Sequence, residues 1–145
     1  GANGFAGEIG HMVVQHEGEL CVCGRRGCWE RYASGSALRM LSGGMSGEEV
    51  FAEASSGDSH AQSVVATFAD WVAVGLASLT NICDPEVIVI GGGVVQSFEF
   101  VLESVSKSFS AALHSSESRP HPALHVAALG ERAGAIGCAL FMTQG

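Results

Sequence analysis

Along residues 59–83 the apolar positions Val65, Phe68, Val72, Leu76, Leu79 and Cys83 recur at steps of three or four, the spacing that aligns one face of an α-helix. Ser59 with Gln62 supplies a helix-start pairing, and Asp84-Pro85 ends the segment, because the residue before proline is pushed out of the helical region. A long helix with one buried face is predicted. Val87-Ile88-Val89-Ile90 is β-branched throughout, which predicts a strand covered on both faces. After Gly91-Gly92-Gly93, the positions Phe98, Val101, Val105, Phe109 and Leu113 mark a second amphipathic helix, and Arg119-Pro120-His121-Pro122 breaks it. Leu124–Leu129 predicts another strand and Ala133–Met142 a closing helix. Strand, helix, strand in sequence predicts a right-handed parallel crossover, hence an α/β fold.

Upstream of these elements the pattern weakens. Residues 1–35 read as loop, with Met12–Val14 as one candidate short strand. Two short helices are predicted between Ser36 and Gly57, the second opened by Ser46 with Glu49 three residues on and closed by Gly57. There is no internal repeat.

With 145 residues, 47% of them hydrophobic, the chain has the size and apolar content of one globular domain. Fifteen acidic against seven basic side chains give a formal charge of −8, which repels a phosphate backbone and argues against nucleic-acid binding by this segment. No apolar stretch reads as reaching the ~18 residues of a membrane span, so no membrane partner is expected. The chain begins on Gly1, in what reads as mid-loop, and is expected to be a piece of a longer protein.

The cysteines change the picture. His11, Cys21, Cys23 and Cys28 form a His-x9-Cys-x-Cys-x4-Cys series, and one imidazole with three thiolates is a closed tetrahedral set suited to structural zinc. Gly24 and Gly27 permit the tight bend, and Arg25 and Arg26 offset thiolate charge. The plainer alternative is three thiols on a loop, buried or free. Spacing this close suits a metal loop in reducing cytoplasm better than a disulfide framework. Cys83 and Cys138 fall on apolar helical faces and read as small core residues.

The stretch GANGFAGEIGH followed by CVCGRRGCWE resembles the signature of the ROK family of bacterial sugar kinases, epimerase-kinases and transcriptional repressors. DPEVIVIGGG and LGERAGAIG resemble the same family's second half, and GCWERYASGSAL is similar to its glucokinases. The resemblance implies a ribonuclease H-like fold of the actin and hexokinase type, with the zinc- and sugar-binding segment at 1–35 and a nucleotide-side α/β unit at 58–145. It places sugar contacts at Glu8, His11 and Glu30, where acceptors on a metal-braced loop meet ring hydroxyls at little entropic cost. From the residues alone, Glu8 also reads as a solvated loop carboxylate and Glu30 as a helix-start charge. His11 would bind zinc through one ring nitrogen and a sugar hydroxyl through the other.

Gly91, Gly92, Gly93 and Val94 are implied to line the nucleotide site, with Gly130 and Glu131 nearby; read alone, the glycine run is equally a tight turn without the Lys and Ser/Thr of a P-loop. The family's DxGGT phosphate loop and the catalytic aspartate of its Asn-Asp motif do not occur in these 145 residues. This segment alone is therefore expected to transfer no phosphoryl group. The resemblance implies a cytoplasmic parent that phosphorylates a glucose-like hexose with ATP and Mg²⁺, and self-association as a homodimer. The alternative is the effector-binding part of a ROK repressor. Ile136, Leu140 and Phe141 are expected on an apolar patch.

Overall fold

A computed structural model describes residues 1–92 and 98–142. Gly93 and Val94 lie outside the described residues. Among the described residues the helices are α1 (Gly35–Leu41), α2 (Gly47–Ser56), α3 (Ser59–Cys83), α4 (Phe98–Ala112) and α5 (Ala133–Met142), and the strands are β1 (Val87–Ile90) and β2 (Ala123–Val126). Before α1 the chain is loop with two single 3-10 turns, Ile9–His11 and Trp29–Arg31. The strand expected at Met12–Val14 reduces to one antiparallel bridge between Val13 and Cys28.

Helix boundaries follow local chemistry. At α2 the Glu49 amide donates to the Ser46 hydroxyl at 3.2 Å while the Ser46 amide donates to the Glu49 carboxylate at 2.7 Å. The cap of α3 is Asp58, whose carboxylate accepts from the Ala61 amide at 2.7 Å. Ser59, expected to open this helix, sits inside its first turn; the carboxylate wins because it both accepts the free amide and complements the positive helix end. The far end stops at Asp84, in the left-handed region at φ 44°, with its carboxylate paired to Arg119.

α3 is the spine. Its buried face, including Val65, Phe68, Val72 and Leu76, packs between α2 and α4, whose own Val50, Val101, Val105 and Phe109 close the core. By length and mean hydropathy, 1.5 over its most apolar window, α3 would pass as a membrane span, which corrects the expectation that no segment does. Here that apolarity is spent inside the fold, where more than half of the window is buried.

β1 and β2 pair in parallel, Val87 opposite Ala123 and Ile90 opposite Val126, with α4 as the crossover. Ile88, Ile90, Leu124 and Val126 pack on the helical core. Val89 is 63% exposed, so the strand is not covered on both faces as its β-branched run predicts. Among the described residues the helices cover one side of the pair, and burial alternates accordingly. β2 is also shorter than the predicted Leu124–Leu129 strand, ending at Val126.

Neither Cys83 nor Cys138 is a core residue: both are exposed. Cys83 closes the last turn of α3, beyond the reach of the packed helices, and α5 buries none of its residues. The apolar patch expected on α5 is present, with Phe141 79% exposed.

Candidate metal centre and its carboxylate

The loop before α1 is folded by its glycines. Gly24, at φ 85°, turns the chain so that its amide donates to the Cys21 carbonyl at 2.9 Å, while the Cys21 amide donates to the Arg25 carbonyl at 2.8 Å. Gly27, at φ 78°, lies so close to Gln15 that a Cβ there would sit well under 3.0 Å from the Gln15 carbonyl. These constraints fold the loop back so that its donor residues converge on one point.

That point is the predicted ligand set. The donor atoms of His11, Cys21, Cys23 and Cys28 all lie within 4.8 Å of one another. The Cys21 Sγ is 3.7 Å from His11 Nδ1, and the Cys23 and Cys28 sulfurs are 3.6 Å apart. Bonds of ~2.3 Å to sulfur in a tetrahedral site imply edges of about 3.8 Å, so the donor set fits a four-coordinate ion with little movement. The His11 ring turns Nδ1 to the Cys21 sulfur, which leaves Nε2 for another partner.

Burial grades the thiols. Cys21 and Cys28 are buried and Cys23 is exposed. The Cys23 amide favours the Cys21 thiolate, but burial and the neighbouring Glu30 outweigh it and push the thiol up to about 12. Cys28 is raised chiefly by burial, whereas Cys23 is lowered, first by the Arg25 amide. A metal ion held here displaces protons from the two buried thiols.

Glu30 belongs to the same cluster. The Cys21 thiol donates to its Oε1 at 3.3 Å, and Glu30 packs against Gly10, where a Cβ would lie 3.5 Å from Oε2. His11 and Glu30 therefore flank the same cysteine. Glu8 is exposed on the adjoining loop, its carbonyl accepting from the His11 amide at 3.1 Å. Gly91 and Gly92 lie at the end of β1 and line an apolar cleft of about 450 Å³ that also reaches Ile9, Trp29 and Ser34 of the metal-loop side. Glu8, His11 and Glu30 are not among the residues that line this cleft.

Sequence reasoning passed over the aromatic residues that fix this loop. The Trp29 indole N–H donates to the Trp71 carbonyl at 2.7 Å, and Tyr32 lies against the Trp71 ring with centroids 4.4 Å apart. The Glu19 amide donates to the Tyr32 hydroxyl at 2.7 Å. A glycine at position 75, inside a long helix, was the available signal, since helix interiors disfavour it unless something packs close.

The chain spans about half or less of the length of the curated relatives it matches. It is 32% identical to the glucokinase of Streptomyces coelicolor, covering 94% of this chain and 50% of that protein. It is 30% identical to the xylose repressor of Bacillus subtilis, covering 94% and 36%. A solved ROK family glucokinase from Streptomyces griseus, in complex with glucose and AMPPNP, superposes with a TM-score of 0.90 at 36% identity, over 97% of this chain and 52% of that one. The α/β arrangement described above is thus that of ROK sugar kinases, which have the actin and hexokinase-like fold. The ROK family model matches residues 1–145, so the chain belongs to the ROK family.

Proposed function

We propose that this chain is the C-terminal, sugar- and zinc-binding lobe of a ROK sugar kinase whose intact form phosphorylates glucose with ATP and Mg²⁺ in the cytoplasm. The observation that carries the reading is the meeting of His11 and Glu30 at Cys21. A hexose presents hydroxyls at fixed angles, and a carboxylate and an imidazole held on one braced loop match that array without ordering cost. Zinc, when bound, supplies the brace and neutralises the thiolates. Glu30 and the Nε2 of His11 then face hydroxyls, Glu8 adds an acceptor from the rim, and Gly91 and Gly92 bring backbone close to the nucleotide side. The base that deprotonates the sugar hydroxyl is assigned to the other lobe, because these residues include no Asn-Asp motif. This lobe alone is inactive in phosphoryl transfer.

A second reading, the effector-binding part of a ROK repressor, is favoured by the Bacillus subtilis xylose repressor, which is nearly as similar in sequence as the glucokinase. The kinase reading draws on the close superposition with a glucokinase that holds glucose and AMPPNP. Equilibrium titration of the metal-loaded full-length protein with glucose tests the shared part. Saturable binding is expected, weakened in Glu30→Ala and in His11→Ala; absence of binding to any hexose contradicts it.

A further inference from the structure

We propose that Trp71 and Gly75 of α3 form a seat that positions Glu30 through Trp29, and so set sugar affinity from behind the metal loop. The inference rests on the sugar-kinase reading above and adds residues to it. Trp29 stands between the ligand Cys28 and the carboxylate Glu30 in sequence, within the single 3-10 turn Trp29–Arg31. Its indole N–H donates to the Trp71 carbonyl, and its ring lies over Gly75, one helical turn further on. A Cβ at Gly75 would fall well under 3.0 Å from the indole Cδ2, Cε2 and Cζ2. No side chain larger than hydrogen fits beneath the ring as it stands.

The same residue is tied on its other side. The Trp29 amide donates to the Met12 carbonyl at 2.8 Å, next to His11, and Arg31 and Tyr32 close the turn on Cys28 and Trp29. Tyr32 repeats the attachment by resting on the Trp71 ring. The indole thus links the rigid spine of the fold to both sugar-facing groups, and its height over α3 fixes theirs. Raising the ring tilts the turn and displaces Glu30, while among the described residues no hydrogen bond ties Trp29 to Gly91 or Gly92, which line the same cleft from the end of β1. Groups set this way lose affinity steeply with small displacements.

The test uses the metal-loaded full-length protein and the variants Gly75→Ala, Trp29→Leu and the double variant. Gly75→Ala is expected to raise the glucose KM on the order of 10- to 100-fold, with the ATP KM unchanged. Trp29→Leu alone raises it as well. In that background Gly75→Ala adds no further rise, because its collision partner is gone, and it raises the melting temperature, since alanine favours the helix. A Gly75→Ala protein with unchanged glucose KM overturns the proposal. So does a loss of kcat with both KM values intact, which marks only a smaller folded fraction, and so do independent, multiplying effects. Should Gly75→Ala not fold, Trp29→Phe, which lacks the indole N–H, decides by the same KM comparison. If the unmodified protein acts on and binds no hexose, the sugar reading fails by itself. The seat is then judged on metal release to a chelator: faster loss from Gly75→Ala supports it, and an equal rate overturns it.

Discussion

Removing the metal tests whether the loop is a genuine ion site, and the expected size of the effect can be worked out. An ion that binds only the folded chain, supplied at about 1,000 times its dissociation constant, adds ~4.1 kcal/mol to stability. Unfolding entropy is about 2.1 cal/mol/K per residue, or roughly 0.3 kcal/mol/K over 145 residues. The melting midpoint should therefore fall by about 13 °C when the ion is stripped. The effect reaches the whole fold because Trp29 and Tyr32 fasten the loop to Trp71 of the central helix. His11→Ala removes one of four donors. If this weakens the site about 1,000-fold, only ~0.4 kcal/mol survives at the same zinc concentration, a shift of about 1 °C. Calorimetric melts with zinc, with chelator and with His11→Ala give the comparison. A midpoint indifferent to chelator, or a His11→Ala protein that keeps the full zinc response, refutes the assignment.

Three further outcomes follow from local geometry. Gly27→Ala places a Cβ against the Gln15 carbonyl at a positive φ, so zinc stoichiometry measured by elemental analysis should drop well below that of the unmodified chain. Glu49 is held below its ordinary value of 4.5 by the Ser46 amide and hydroxyl, so its folded pKa lies under its unfolded one. The stability it adds is complete above the unfolded value and is lost as pH falls through the folded one; melts of Glu49→Gln and the unmodified chain should differ at neutral pH and converge in acid. Phe68→Ala, at a side chain only 2% exposed, should cost about 3–5 kcal/mol in denaturant titration, and a loss under 1 kcal/mol would contradict its place in the core.

Much of the chain was legible because periodicity reports burial. Val101, Val105, Phe109 and Leu113 all point inward as their spacing requires, and Ala133–Met142 forms the helix expected of it. The same reasoning failed where composition and surroundings part company. Val89 is β-branched yet exposed because only one face of its strand is covered, and Cys83 extends an apolar period one step past the packed region of α3. The ligand set was readable from spacing, since four donors of the right types sit close in sequence. Its attachment was not. Trp29, Trp71 and Gly75 meet through a contact 42 residues apart, which no local pattern encodes.

The central claim, that this lobe holds the sugar of a phosphorylating enzyme, is tested most directly by ATP-dependent turnover of the full-length protein on a panel of hexoses. The account predicts phosphorylation of glucose with a KM that rises sharply in Glu30→Ala while the ATP KM stays in place. Silence on every hexose, with glucose binding intact, would contradict the kinase and leave a sugar sensor in its stead.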